Sequence, residues 1–142
     1  EIVCEGVNPG GENWAVGIDR PVDGNFTPGR DLEGVYRPLK SPCGIVTSGN
    51  YRKFYLVDGR KYSHTIDPRS GRPVSHSLLS ATVVAPDATL ADGIATYCMV
   101  AGLEEASRFI EEREELEACL IYDDGEGGMK EWCSSSFLLT ER

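Results

Sequence analysis

The stretch KFYLVDGRKYSHTI, residues 53–66, predicts a β-hairpin and with it an antiparallel arrangement of strands. Runs of β-branched and aromatic residues flank Asp58-Gly59, a dipeptide that favours the type I′ turn between paired strands. Because the turn fixes the register of a hairpin, Val57 is expected opposite Arg60. The same register predicts the pairs Tyr55–Tyr62 and Lys53–His64, and places on one largely apolar face Tyr55, Val57, Tyr62, His64 and Ile66.

A second turn signal, Asp67-Pro68-Arg69-Ser70-Gly71, follows the hairpin directly. Aspartate bonds readily to downstream amides and proline suits the second position of a turn, so local chemistry alone favours a turn over a binding site. Histidine titrates near neutrality, which makes His64 a candidate general base. A single strand histidine is more often packed or hydrogen-bonded for structure, and His76, in a polar loop, is a weaker candidate than His64.

Upstream of the hairpin, segments rich in glycine and proline separate short extended runs. An opening hairpin is predicted at the start of the chain, where Asn8-Pro9-Gly10-Gly11 is a turn signal between two such runs. The predicted elements are strands over 1–7 and 13–19, a loop over 20–34, and strands over 35–39 and 43–47.

Downstream of the hairpin, the spacing of apolar residues changes to that of helices. A helix over 88–101 is predicted, with Gly102 as its C-terminal stop and with an apolar stripe of Leu90, Ile94, Tyr97 and Ala101. A second helix is expected over 104–116, with Ala106, Phe109 and Ile110 buried. The remaining predicted elements are strands over 79–85 and 118–122, a turn over 124–128 and one or two final strands. The chain is therefore expected to be mostly β with one two-helix insertion.

Composition bounds the possible functions. The chain has 142 residues, enough to bury a core without disulfides or metals. Its 23 acidic residues outnumber 14 basic ones, and the net charge of −9 argues against nucleic acid as a partner. The five cysteines form no CxxC pair and lie apart from the histidines, so a structural zinc site is not expected. Their odd number prevents complete pairing within the chain.

Asp92 and Thr96 are four residues apart in the predicted helix and therefore share one face. Both carry oxygen ligands suited to a hard cation such as Mg²⁺. The spacing Thr89-x-x-Asp92 also fits a capping box at the positive end of the helix, and spacing alone favours this structural role.

Residues 47–51, TSGNY, end a predicted strand with small side chains that let a ligand approach backbone amides closely. The stretch contains neither GxxxxGK[ST] nor GxGxxG, so by itself it favours a plain turn over a phosphate or adenosine cradle.

Three segments taken together are more specific: TSGNY at 47–51, HTIDPRSGRPV at 64–74 and ADGIAT at 91–96. Their order and spacing resemble the segments SGxY, H-x-I-D-P-x-[ST]-G-x-P-V and A-D-x-x-A-T of the ApbE family, the FAD:protein FMN transferases. WAVGI at 14–18 resembles the W-x-V-G-I strand that precedes them in the family. The resemblance spans nearly the whole chain.

The resemblance implies an α+β, T-fold-like ApbE domain with a mostly antiparallel sheet. It implies Mg²⁺-dependent transfer of FMN from FAD to a threonine hydroxyl of a target flavoprotein, with release of AMP. By this resemblance Asp92 and Thr96 are metal ligands, and His64 is a catalytic base or an organiser of the active site. The residues expected to contact FAD are Ser48, Gly49, Tyr51, His64, Ile66 and Asp67.

The family's N-terminal half, with its lipoprotein signal and a Lys-Gly segment that supplies a further metal ligand, has no counterpart in this sequence. We therefore expect residues 1–142 to form the C-terminal part of the domain, with lower affinity for metal and FAD than the whole protein. By family, the whole protein is expected to face the periplasm, anchored by a lipid outside these residues. Two alternatives stay open: an FAD pyrophosphatase that releases FMN and AMP, and a non-catalytic flavin-binding domain.

Overall fold

The computed structural model describes residues 1–51 and 54–140 of the chain. Both helices in this part are too short to cross a membrane. The strands are β1 (Ile2–Cys4), β2 (Val16–Asp19), β3 (Leu32–Tyr36), β4 (Cys43–Gly49), β5 (Phe54–Val57), β6 (Arg60–Ser63), β7 (Ile66–Asp67), β8 (Arg72–Pro73), β9 (Leu78–Ala85), β10 (Glu117–Asp123), β11 (Met129–Cys133) and β12 (Leu139–Thr140), and the helices are α1 (Ala88–Ala101) and α2 (Leu103–Glu111).

The strands form a central antiparallel sheet with the order β1-β4-β9-β10-β11. A three-stranded antiparallel sheet, β12-β3-β2, lies on one face of it, and α1 and α2 lie on the other. The hairpins β5–β6 and β7–β8 are inserted between β4 and β9. The predicted α+β class, the antiparallel sheet and the two-helix insertion are all confirmed.

Two hydrophobic cores follow from these three layers. On the helix side, small residues of α1 pack against the valines and alanines of β9 and β10. On the other side, Tyr36 stacks on Phe137 with ring centroids 4.1 Å apart, and Ile18 and Ile121 fill the space beside them. Since β9 is buried on both faces, it carries an almost continuous apolar sequence.

Helix α1 has the predicted bounds but buries a different face. Gly102 ends it with a φ of 83° and donates its N–H to Cys98 O at 2.9 Å, as expected of a C-terminal glycine. The predicted stripe is only partly correct, because Ile94 and Tyr97 pack against the core while Leu90 is 41% exposed. The helix instead buries smaller residues, which allow it to lie close to the sheet: Ala91, Ala95, Cys98 and Met99.

Helix α2 ends five residues earlier than the predicted limit of residue 116. Arg113 N–H donates to Ile110 O, and Leu116 N–H donates to Arg113 O, so the chain turns tightly instead of continuing the helix. The turn brings the buried side chain of Leu116 into the core directly before β10 begins.

The predicted opening hairpin was also wrong. A turn does form at Asn8, whose side-chain oxygen accepts hydrogen bonds from Gly10 N and Glu12 N. The strands on either side of it belong to different sheets, since β1 pairs with β4 and β2 pairs with β3. The turn at Asn8 fits the predicted hairpin as well as the observed arrangement, so the turn did not determine which strands pair.

The central hairpin has the predicted turn and register. Asp58 and Gly59 have φ of 51° and 75°, as the type I′ turn requires, and Tyr55 lies opposite Tyr62. The predicted Lys53–His64 pair lies outside the described residues. His64 follows the end of β6 and Ile66 begins β7, so the predicted single face does not extend to either residue.

Candidate functional site

A cavity of about 340 Å³ opens at one edge of the central sheet. The cavity can form at this edge because, among the described residues, β1 pairs only with residues 43–45 of β4. The second half of β4 therefore lies at the edge of the sheet. Helix α1 and the segment after β6 form the other walls. Six of the predicted site residues line this cavity: Ser48, Gly49, Tyr51, His64, Asp92 and Thr96.

The β4 wall is shaped by close packing around a glycine. A Cβ atom at Gly49 would lie 2.8 Å from the Tyr51 ring and 3.1 Å from Leu79 O. The Tyr51 ring is buried, so it cannot move aside freely. Asn50 anchors the turn to β9, donating from its backbone N–H to Leu79 O at 3.0 Å and from its side chain to Leu78 O at 3.2 Å. The backbone of this segment is therefore held firmly in place beside the cavity.

The α1 wall carries oxygen ligands that the helix itself does not use. Asp87, not Thr89, is the N-cap, and its carboxylate accepts a hydrogen bond from Leu90 N at 2.8 Å. Asp92 and Thr96 are both exposed at the cavity, and within residues 1–51 and 54–140 neither side chain has a hydrogen bond or ion pair. The capping-box alternative for Asp92 is therefore wrong.

Helix α1 reaches the cavity because Gly44 allows it to lie against β4. A Cβ atom at Gly44 would come within 2.3 Å of Ala88 N, so any other residue would push the start of the helix away. The same contact fixes the height of Asp92 relative to the end of β4, since the helix rises 1.5 Å per residue from this point.

The third wall is the short segment after β6. His64 is exposed and lines the cavity together with Thr65. Thr65 is held from both sides: its N–H donates to Ser63 Oγ at 3.1 Å, and its carbonyl accepts from Val74 N at 3.0 Å. These bonds position the backbone that carries His64.

Ile66 and Asp67 do not line this cavity. The carboxylate of Asp67 accepts from the backbone N–H of Arg69 at 2.9 Å and from its Nε at 3.1 Å, while Gly71 N–H donates to Asp67 O. The hydrogen bond from the Arg69 N–H, together with the Arg69 side chain, lowers the pKa of Asp67. The structural interpretation of this segment as a turn is confirmed.

His76 is a structural residue. Its Nδ1 accepts from Leu78 N at 3.2 Å, and its Nε2 lies 2.8 Å from Met99 O. Because Nδ1 accepts a hydrogen bond, the ring proton is on Nε2, which donates to Met99 O. The ring therefore links the end of α1 to the start of β9.

Five residues that line the cavity were not predicted as site residues: Glu1, Val46, Thr47, Thr65 and Met99. Met99 lies seven residues after Asp92 and so shares its helix face, a periodicity that could have identified it. Thr47 and Thr65 stand inside the segments singled out from the sequence. Thr47 Oγ1 lies 2.8 Å from Thr82 Oγ1 on β9, a cross-strand contact that sequence alone does not reveal.

A second cavity, of about 380 Å³, adjoins the first and shares Glu1, Thr47 and Tyr51 with it. Its other walls include Val16, Gly17 and Ile18, part of the WAVGI segment at 14–18. All four sequence segments thus meet at two neighbouring cavities on the same sheet edge.

The ApbE family profile matches residues 1–120 of the chain. The chain belongs to the ApbE family. It is 41% identical over 138 residues to the FAD:protein FMN transferase of Salmonella typhimurium, a match that covers 96% of this chain and 37% of that relative.

Solved ApbE structures show the same fold. The flavin transferase ApbE from Vibrio cholerae superposes with a TM-score of 0.73 at 34% identity, covering 94% of this chain and 40% of that one. The apo form of the flavinyl transferase ApbE from Pseudomonas stutzeri superposes with a TM-score of 0.69 at 32% identity, covering 92% and 38%. The chain therefore spans well under half the length of the ApbE proteins it matches.

Proposed function

We propose that this chain supplies the C-terminal part of the active site of an FAD:protein FMN transferase. The observation that carries the proposal is the meeting of Ser48-Gly49, His64 and Asp92 at one cavity, although these residues come from distant parts of the chain. Each stands in one of the three segments that resemble the family. The names of the relatives support the reaction class, and the match to 37–40% of their length supports a partial site.

The donor set at the cavity fits Mg²⁺. Asp92 and Thr96 offer a carboxylate and a hydroxyl on one exposed helix face, and neither is engaged with another described residue. Mg²⁺ prefers such oxygen ligands and completes its shell with water and substrate phosphates. In this proposal, Asp92 and Thr96 hold the ion, which neutralises charge on the pyrophosphate of FAD when bound.

The chain's own residues then position the substrates. The backbone after β4, fixed by Asn50 and packed tightly at Gly49, forms a surface that the flavin nucleotide can approach closely. The acceptor threonine oxygen attacks the phosphorus of the FMN moiety, a P–O bond forms, and the P–O bond to AMP breaks. His64 is exposed at the cavity and takes the proton that the threonine hydroxyl loses.

The partner and the compartment are part of the same proposal. The acceptor is a flavoprotein that presents a threonine in an accessible segment, a role supported by the exposure of Asp92 and His64 at the cavity. We assign the whole protein to the periplasmic side of a membrane, anchored by a lipid outside residues 1–142. Metabolic labelling with a fatty acid, followed by fractionation of cells that express the whole gene product, tests this assignment.

The deciding experiment measures the products of the whole protein. The protein is incubated with FAD, Mg²⁺ and a candidate flavoprotein domain, and the domain is analysed by intact mass and peptide mapping. A threonine that gains FMN, with AMP released in equal amount, supports the transferase. Free FMN and AMP without a labelled domain would assign a pyrophosphatase, and tight FAD binding without AMP would assign a flavin-binding protein.

A further inference from the structure

The central sheet carries two pairs of cysteines that lie directly opposite one another on neighbouring strands. Cys4 on β1 faces Cys43 on β4, and Cys119 on β10 faces Cys133 on β11. Cys98, the fifth cysteine, is buried in α1 on the helix side of the sheet. The odd cysteine count of the sequence therefore resolves into two pairs and one core residue.

The two pairs differ in how their thiols meet solvent. Cys4 and Cys43 are 4% and 2% exposed, so neither sulfur is open to a dissolved reagent. Cys119 is likewise buried at 1%, but Cys133 is half-buried on β11, an edge strand of the sheet. Only the second pair combines a partly exposed cysteine with a buried partner.

The register also places the second pair in a position that suits a disulfide. Ser134 N–H donates to Ala118 O at 2.9 Å, so these two residues form a hydrogen-bonded pair of the β10–β11 ladder. Because hydrogen-bonded and non-hydrogen-bonded pairs alternate, Cys119 and Cys133 form a non-hydrogen-bonded pair. In such pairs the Cα atoms are about 4.5 Å apart, within the range that disulfides span.

The side chains already point toward each other. The two sulfurs and a carboxylate oxygen of Glu131 all lie within 4.8 Å of one another. A hydrogen bond to Cys133, together with burial, raises the pKa of Cys119, which favours the protonated thiol in the reduced pair. Joining the sulfurs requires side-chain rotation and no change of strand register.

We propose that Cys119 and Cys133 are a thiol pair that oxidises to a disulfide in the folded protein, and that this bond locks β11 to β10. The proposal is independent of the flavin chemistry. Its oxidant is a small or protein disulfide, for which oxidised glutathione is the probe. The Cys133 sulfur attacks one sulfur of the probe and displaces one glutathione thiol. Cys119 then attacks the resulting mixed disulfide at Cys133 and displaces the second glutathione, and each departing glutathione thiolate takes up the proton that the attacking cysteine loses.

The disulfide would stabilise the C-terminal end of the fold. Strand β11 leads directly to Phe137, which stacks on Tyr36, and then to β12, which pairs with β3. A covalent bond at Cys133 therefore restrains the connection between the central sheet and the smaller sheet. Closing the loop between the two cysteines is expected to raise the thermal midpoint by about 5–10 °C.

Peptide mapping of the intact, folded protein tests the proposal. The protein is reduced, freed of reductant, incubated with oxidised glutathione, and then denatured in N-ethylmaleimide to label every remaining thiol. We expect a disulfide between the Cys119 and Cys133 peptides, with Cys4, Cys43 and Cys98 labelled. Glutathione retained on Cys133, a Cys4–Cys43 bond as the main product, or five labelled thiols would overturn the proposal.

Three variants separate a disulfide from a metal site and from a general effect of losing a thiol. Cys133→Ser should abolish the oxidant-dependent rise in the thermal midpoint, and Cys98→Ala should keep it. Glu131→Gln should still form the disulfide, because the carboxylate takes no part in it. The contrary outcome is a metal site. In that case the reduced wild type would retain Zn²⁺ after desalting, the ion would protect both thiols from the probe, and Glu131→Gln would lose the ion. That result would assign the cluster to a metal and contradict the proposal.

Discussion

Asp92 lies one helical turn before Thr96 on the exposed side of α1, and both side chains line the same cavity. Helix capping does not account for this arrangement, because Asp87 performs that role. Two acidic residues five positions apart thus have separable roles: one begins the helix, and the other faces the site.

Asp92→Ala should lower activity and leave stability nearly unchanged, whereas Asp87→Ala should lower stability and leave activity unchanged. Loss of Asp92 should lower Mg²⁺-dependent FMN transfer by about 100-fold or more, because a bound ion supplies several kcal/mol of charge stabilisation. It should change the free energy of unfolding by less than about 0.5 kcal/mol. Asp87→Ala should cost about 0.5–2 kcal/mol through the lost cap, with transfer per folded molecule unchanged. Transfer assays and urea unfolding, with and without metal, measure both; unchanged transfer in Asp92→Ala contradicts the metal site.

His64→Gln should lower the rate of FMN transfer by about 10²–10⁴-fold while FAD binding changes little, as expected when a general base is lost. His76→Gln is the matched control, because His76 is bonded to Leu78 and Met99. That variant should lose about 1–3 kcal/mol of stability and keep its activity per folded molecule. Separate kcat and KM values for FAD decide the matter: a changed KM with unchanged kcat would make His64 a binding residue.

Gly49→Ala should weaken FAD binding. Its new Cβ would meet the Tyr51 ring at 2.8 Å, and such overpacking costs about 1–3 kcal/mol. Gly93→Ala is the control, since a Cβ at Gly93 on α1 meets nothing within 4 Å. Replacing a helical glycine by alanine should stabilise the protein by about 0.5–1 kcal/mol. Flavin fluorescence titration and thermal unfolding give the two readouts, and equal FAD affinity in both variants would show that the β4 wall is not at the flavin.

Tyr36→Phe should destabilise the protein by about 1–3 kcal/mol. The Tyr36 hydroxyl donates to Glu117 Oε2 at 2.7 Å, and Glu117 is 4% exposed. Removing the hydroxyl therefore leaves the buried Glu117 carboxylate with one hydrogen-bond donor fewer. Lys40 Nζ, 3.6 Å from Glu117 Oε1, is too exposed to replace it fully. Tyr122→Phe is the control, because the Tyr122 hydroxyl has no hydrogen bond to the described residues. Equal guanidinium midpoints for the two variants would contradict this account.

Asp67 should titrate below its ordinary value of 3.8 in the folded protein, because the N–H and side chain of Arg69 favour the carboxylate. A lowered folded pKa means that the carboxylate contributes stability above pH 4 and loses that contribution as the pH falls through its folded value. Asp67→Asn should therefore destabilise the protein at pH 7, and its effect should shrink as the pH falls through the folded pKa of Asp67. A carbon-detected NMR titration measures the pKa directly, and a value at or above 3.8 would contradict the prediction.

Turns and helix ends could be predicted from the sequence where one or two residues adopt the backbone conformation that the turn or helix end needs. The Asp58-Gly59 turn needs only two residues that adopt positive φ, and the end of α1 needs only Gly102. The three sequence segments were likewise enough to indicate the family and to select six residues that the structure places at one cavity. These signals are short in sequence, so a single chain displays them without any structure.

The tertiary structure decided what depends on distant partners. The first two strands joined different sheets, because strand pairing is set by which apolar faces can be buried together and not by the turn between neighbours. Helix α1 turned its small residues inward because Gly44 lets it lie directly on β4, and that rotation left Asp92 and Thr96 exposed at the cavity. The opposition of Cys119 and Cys133 likewise follows from strand register. Register between strands that no tight turn connects, and close approach of a helix to a sheet, arise only when the whole core packs, so no local pattern in the sequence specifies them.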